Sequence, residues 1–535
     1  MAVTHGSGDS GVLQGEGENA LQPVDWIILG GYFVFIIWLG SYFGKKQKSS
    51  ERYFLGNRRI PGWAVGMSIF ATIISSWAFM ALPGKSFKND MQFLLTIAPI
   101  PLAVVISSLF IIPLFRNKIK LSAYEYLERR FGPAARFYGD FLFICGHFFK
   151  MSMVLYLLCL AISGMTGFDV AVLIFIIGVA TIIYTFYGGI EGVVWTEVIQ
   201  GFLLLGGGVL ALYFLLFMTP VGPEEVLQVG FEKSKFKLAE FDFTWQEICV
   251  YVLLWSGFNL YMSKYATDQT VVQRYLLSPS TDQARRSLWI SVLLLGVVWI
   301  LFMLIGALLW VYYEIQPGLL PAEVRNIPDK VFAYFIAHEL PAGVTGLILA
   351  GIFAASMSTL SADLNSLGSV LIDDFYNKLA RRSTEEQRLW FSRLSVLVTG
   401  LLSIILALFL TRFEEQSMVD GFLIFTAIIA GGMLGMFFLG FFTRRCSKDG
   451  LYIGLVVGVA FIIWATLTNP KTGMIESSTL LWFPRFKVNL LWLGLLGNLV
   501  VFAVGYAASL IVTPGHKAPE GLTIYGKEEL DQPKK

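Results

Sequence analysis

Ser356, Ser358, Thr359, Ser361 and Asn365 stand close together in the stretch Gly351–Tyr376, GIFAASMSTLSADLNSLGSVLIDDFY, whose first residues are otherwise small and apolar. At 100° per residue Ala355, Ser358 and Thr359 (i, i+3, i+4) share one helical face, and Ser361 and Asn365 sit beside Ser358 on the same side. Hydroxyl and carbonyl oxygens in a dry cavity suit a hard, weakly held cation such as Na⁺ better than a soft metal. The same side chains also let helices pack closely and bond back to their own carbonyls, so both roles stand on this stretch alone. Lys150, in HFFKMSMVLYL, is the second residue with chemistry to offer. It lies near the centre of an apolar run, where an ionisable group costs at least about 2.5–3.5 kcal/mol on insertion scales and needs a partner or a water-filled cavity. A structural ion pair is one solution, and Glu197 is the deep acid the sequence offers for it. Other chemistries find no support. The four histidines (His5, His147, His338, His516) form no ligand motif, the four cysteines show no metal or disulfide spacing, and no nucleophile elbow or phosphate loop occurs.

The elements that must hold these residues are membrane-length. The chain has 535 residues, 56% of them hydrophobic and only 15% charged, with mean hydropathy +0.66, whereas soluble domains carry about 25% charged residues. A net charge of +2 gives no reason to expect nucleic acid. Apolar runs able to cross about 30 Å of hydrocarbon fall near 26–44, 61–83, 93–115, 136–164, 168–187, 193–218, 245–264, 287–313, 342–370, 389–411, 420–442, 449–468 and 488–513, thirteen spans in all. Alternate loops hold the basic residues, among them Lys45, Lys46 and Arg58, then Lys120 and Arg130, Arg274 and Arg285, Arg381, and Arg444. The positive-inside rule makes those loops cytoplasmic, with the N-terminus outside and the C-terminus inside. Residues 1–24 read as a disordered extracellular tail, 121–132 as an amphipathic helix on the inner face, and 331–340 as a short helix over the outer face. In the second run, Pro61–Pro83, polar and β-branched residues at mid-depth (Ala71-Thr72-Ile73-Ile74-Ser75-Ser76) mark a helix that is interrupted. Broken backbone at that depth is tolerated where it lines a cavity, and its freed carbonyls coordinate cations. Carbonyls from this stretch and hydroxyls from the Ser/Thr helix are natural partners.

WAVGMSIFATIIS, VLYL (154–157), YGGIEGVVWTEVIQ, DQTVVQRYL and FAASMSTLSADLNS, in that order over roughly residues 25–450, resemble the sodium–solute symporters, whose members carry galactose, proline or sialic acid with Na⁺. The resemblance implies an all-α integral membrane fold of LeuT type. A leading helix and its loop (25–60) precede two inverted five-helix repeats (61–218 and 245–442). Two trailing helices (449–513) and a cytoplasmic tail (514–535) follow. It implies a sodium site made by the carbonyls of Ala71, Ile74 and Ala355 and the hydroxyls of Ser358 and Thr359. A second sodium would use Glu197, Ser358 and Ser361, although Glu197 replaces a shorter acid of the pattern and Ala362 replaces a serine.

Lys150 falls where the sialic acid carriers of this family place an arginine that grips the substrate carboxylate. With it, Ser75, Phe93, Thr96, Tyr261, Phe422, Phe425 and Thr426 would line the substrate cavity. Ile97, Phe422 and Phe425, where sugar carriers have polar groups, favour an anion with an apolar body. The implied function is sodium-coupled import of an organic anion by alternating access, with Na⁺, a small anionic solute and the bilayer as partners. A sodium–sugar or polyol symporter is the alternative. A membrane sensor or passive channel on the same fold is a further one, and the short segment 514–535 leaves little room for a signalling domain.

Overall fold

The structure, a computed structural model, describes residues 21–45, 47–119, 121–413, 432–470 and 485–525. Regular structure there is helical throughout. The principal helices are α1 (Pro23–Gly44), α2 (Gly62–Ile73), α3 (Ser76–Lys88), α4 (Gln92–Lys118), α5 (Pro133–Thr166), α6 (Val170–Phe217), α7 (Val250–Ala266), α8 (Gln269–Leu276), α9 (Thr281–Ile315), α10 (Val344–Val370), α11 (Glu385–Leu410), α12 (Met433–Phe442), α13 (Lys448–Thr468) and α14 (Leu493–Val512). Short helices stand at Glu125–Phe131 and Pro328–His338, overlapping the stretches 121–132 and 331–340, and most of their residues are buried.

Local chemistry sets many of the boundaries. Asp169 opens α6 by accepting from the backbone N–H of Ala171 and Val172 at 2.9 and 3.1 Å. Thr384 and Gln387 close a reciprocal capping box on α11. Two interruptions matter more. α2 and α3 meet at 59°, with Ile74 and Ser75 in extended backbone between them. α6 runs for 48 residues but changes direction at Gly189, whose φ of 56° and ψ of −161° suit glycine alone; a Cβ there would also lie 2.9 Å from the Tyr53 ring.

Among the described residues nine helices are long and apolar enough to cross a membrane, or ten with the α2–α3 pair as one span. The apolar runs of the sequence number thirteen. Runs 168–187 and 193–218 form the single bent helix α6, α7 is only 17 residues long, and of the run 420–442 only the end is described, as α12. The tail 1–20 and residues 414–431 lie outside the described residues, as do Lys46 and Lys120.

Burial sorts the helices into a core and a periphery. In α10, 89% of the most apolar stretch is buried, against 22% in α1. α10 packs against α6, α5, α1 and α11, so its polar face has no access to lipid. α2 and α3 lean on α9, and α13 pairs with α14. Close approaches use glycine. A Cβ on Gly306 of α9 would lie 2.2 Å from the Pro83 carbonyl oxygen, and one on Gly257 of α7 would lie 2.0 Å from that of Thr96.

One basic loop needs correction. Arg274, read as a solvated cytoplasmic charge, lies in the wholly buried helix α8, and its side chain is 0% exposed. Arg130 is also buried, with its guanidinium on the Thr443 carbonyl at 3.1 Å. Their charges are engaged inside the protein rather than marking a wet surface.

Gly306→Val forces α9 away from Pro83 and is expected to cost about 1–3 kcal/mol as overpacking. Its thermal unfolding in detergent should fall by several degrees. Gly296→Val, on the same helix with nothing within 4 Å of its Cβ, should leave unfolding unchanged. Equal behaviour of the two variants refutes the close helix contact.

Candidate functional site

The break after α2 leaves backbone oxygens without helical donors, because the last four carbonyls of a helix have no partner within it. α10 supplies the opposing side. The Ser358 hydroxyl donates toward the Ala71 carbonyl at 2.9 Å and the Ala355 carbonyl at 3.0 Å. The Thr359 hydroxyl donates toward the Ile74 carbonyl at 3.2 Å and that of Ala355 at 3.1 Å. All five residues are buried. Three carbonyls and two hydroxyls thus converge between two helices. A hydroxyl that donates one hydrogen bond keeps lone pairs for a cation. The set is all oxygen and uncharged, which fits a weakly held monovalent hard cation and offers a soft metal nothing. Among the described residues no cluster of histidine, cysteine or carboxylate side chains provides a rival metal site.

Glu197 has a different neighbourhood. Its Oε1 accepts from Arg274 Nη2 at 2.6 Å, and its Oε2 accepts from the Ser68 hydroxyl and from Arg274 Nε at 3.4 Å. Arg274 also donates to Ser68 Oγ at 2.9 Å and to the Thr270 carbonyl at 2.7 Å. Both partners are fully buried. Ser361 stays with Ser358 on α10 and donates to its carbonyl at 3.1 Å. The structure therefore groups Ser358 with Ser361 and turns Glu197 toward α8.

Lys150 has the buried partner its depth demands, but not the acid nominated from the sequence. Its ammonium lies 2.9 Å from Asp363 on α10, whose side chain is 0% exposed, while Lys150 keeps 22% exposure. Asp363 was legible in principle. It stands in SADLNS one turn beyond Thr359, as an acid inside an apolar run that must find a cation. Glu197 is excluded as that cation's partner because Arg274 already holds it. His147, one turn before Lys150, places Nδ1 2.9 Å from Asp363 Oδ1.

The remaining cavity candidates separate into groups. Ser75 is half-buried at the start of α3. Thr96 is buried, its hydroxyl has no hydrogen-bond partner among the described residues, and its carbonyl abuts Gly257. Phe93 stacks on Trp299 with centroids 5.9 Å apart, and the Trp299 side chain also meets the buried Tyr261 hydroxyl. Lys264 pairs with Asp268 at 2.6 Å. Among the described residues Lys150 forms no hydrogen bond with Ser75 or Thr96. Phe422, Phe425 and Thr426 lie outside the described residues.

Comparison with known proteins places this arrangement. The chain is 35% identical over 493 residues to the sodium/sialic acid symporter NanT of Aliivibrio fischeri, covering 91% of this chain and 93% of that protein. It is 36% identical over 448 residues to the sodium/sialic acid symporter SiaT of Proteus mirabilis, covering 83% and 89%. A solved structure of a Na⁺-coupled sialic acid symporter, in a substrate-bound outward-open state, superposes with a TM-score of 0.83 at 32% identity over 93% of this chain and 99% of that one. Residues 53–458 match the sodium:solute symporter family. With its apolar helices, its broken α2–α3 pair and its all-oxygen cluster against α10, this multi-pass membrane protein belongs to the sodium:solute symporter family.

Proposed function

We propose that the chain is a sodium-coupled symporter that imports an organic anion, with sialic acid as the first candidate, by alternating access. The observation that carries the sodium half is the convergence of the Ala71, Ile74 and Ala355 carbonyls on Ser358 and Thr359. A cation held there ties α2 to α10, so its arrival and departure bias how the two helices sit against each other. Thirteen spans follow if α6 counts as two about Gly189, the α2–α3 pair as one, and α7 and α12 as one each. Two inverted repeats over 61–218 and 245–442 are the arrangement that such broken helices suit. The N-terminus then lies outside and the C-terminus in the cytoplasm.

In this reading Lys150 receives the substrate carboxylate, since a charge-assisted contact in a shielded cavity is stronger than a neutral one. Ser75 and Thr96 orient the solute, and Phe93 and Tyr261 flank it, together with Phe422, Phe425 and Thr426. The unpartnered Thr96 hydroxyl supports a ligand-facing role, because a buried polar group left unmade costs about 1–3 kcal/mol. The Lys150–Asp363 pair favours a second reading, a neutral sugar or polyol, because the cation is already matched. Uptake of labelled sialic acid, with competition by other carboxylates and by neutral sugars, separates the two. A second sodium would use Ser358 and Ser361, and Glu197 could join them only if Arg274 releases it.

Ser358→Ala and Thr359→Ala should each raise the sodium concentration for half-maximal uptake tenfold or more, consistent with about 1–2 kcal/mol for one lost contact to a charge. Thr359→Ser should be mild because the hydroxyl stays. Parental sodium dependence in both alanine variants would move the site elsewhere. Lys150→Ala should abolish uptake of the anion while the protein still folds, and Lys150→Arg should retain part of it. Normal transport by Lys150→Ala refutes carboxylate binding there.

A further inference from the structure

His147 is the one histidine with a carboxylate at each ring nitrogen among the described residues. Nδ1 lies 2.9 Å from Asp363 Oδ1, and Nε2 lies 3.5 Å from Asp268 Oδ2. A neutral imidazole has one N–H and one lone pair, so in either tautomer one ring nitrogen turns its lone pair toward a carboxylate oxygen. Both contacts are attractive only when a proton is added and the ring becomes imidazolium.

The rest of the cluster makes that proton consequential. His147 and Lys150 come from α5 and Asp363 from α10, while Lys264 and Asp268 come from the end of α7 and the turn into α8. Lys150 holds Asp363 at 2.9 Å and Lys264 holds Asp268 at 2.6 Å. Asp268 Oδ1 is taken by the N–H and hydroxyl of Thr270, which leaves Oδ2 for Lys264 and His147. On the remaining sides the Phe143 ring lies 4.2 Å from the imidazole, and Tyr124, packed on Phe143, gives its hydroxyl to the Thr267 carbonyl. Glu197 is within electrostatic range of Asp363 but is matched by Arg274. Two ammonium groups therefore balance two carboxylates, and a neutral His147 leaves the cluster at zero.

An anionic substrate upsets that balance. If Lys150 turns to a substrate carboxylate, the low-dielectric site gains one negative charge and Asp363 loses its ammonium partner. Protonation of His147 removes both penalties, since it restores neutrality and leaves Asp363 facing a cation. We propose that His147, bridging Asp363 and Asp268, is a proton-binding site whose occupancy is linked to that of the anionic substrate. The linkage, though not the bridge itself, rests on the reading of Lys150 as the carboxylate receptor.

Titration calorimetry of the purified, sodium-loaded protein with sialic acid, in two buffers of different ionisation enthalpy, counts the protons taken up on binding. Wild type should take up close to one proton where the free site is unprotonated, and its affinity should fall about tenfold per pH unit there. His147→Gln should bind with no proton uptake and a flat pH dependence. His147→Lys, which carries a fixed positive charge, should also bind without uptake. Zero uptake by wild type, or unchanged uptake in His147→Gln, overturns the linkage.

A second measurement needs no substrate. With the proton on, both contacts of the bridge are attractive, and without it one of them is not. The melting temperature of wild type should therefore change with pH in a way that that of His147→Gln does not. Identical profiles overturn the proton site. If sialic acid does not bind but the profiles differ, the proton site stands and the substrate reading fails. If sialic acid binds without proton uptake and the profiles agree, the substrate reading stands and the proton site fails.

Discussion

A helix that stops in the middle of an apolar protein must find new partners for its backbone, since water cannot supply them. That constraint, at Ile74 and Ser75, organises the molecule. The freed Ala71 and Ile74 carbonyls face Ser358 and Thr359, which places α10 directly behind the break. Because α10 carries the hydroxyls, it has to be enclosed on every side by α1, α5, α6 and α11. Hydroxyls alone hold such carbonyls loosely. The hydroxyl lone pairs that remain suit a weakly held hard cation.

The buried charges follow a related rule. Each ionisable group inside the helices costs several kcal/mol unless it is matched, and two matched sets lie near the oxygen cluster. Arg274, Glu197 and Ser68 join α8, α6 and α2, while Lys150, Asp363, His147, Asp268 and Lys264 join α5, α10 and the turn after α7. Both sets span helices that also contribute to the oxygen cluster or flank it. Ser68 on α2 and Asp363 on α10 each belong to one of these sets, so a shift of either helix disturbs the contacts of its own set. Glu197 illustrates the cost: as a second sodium ligand it would have to leave a fully buried arginine unmatched.

What could be read from the chain alone was whatever depends on local spacing or on a one-residue energy. The shared face of Ala355, Ser358 and Thr359 follows from helical periodicity, and the interruption in Pro61–Pro83 follows from residue types that sit poorly in a continuous apolar helix. The need of Lys150 for a partner follows from the cost of one charge in hydrocarbon. The identity of that partner did not follow. Asp363 and Glu197 are both acids within apolar runs, and only the packing of α5 on α10, and of α8 on α2 beside Glu197, decides which cation each one meets. Arg274 was misplaced for the same reason: a short polar stretch between two spans looks like a wet loop until tertiary structure buries it. His147 carried no motif at all, because its two carboxylates lie 121 and 216 residues away in sequence. Periodicity and desolvation act on neighbours along the chain and are legible in it, whereas charge pairing acts through space and is decided only once the helices are assembled.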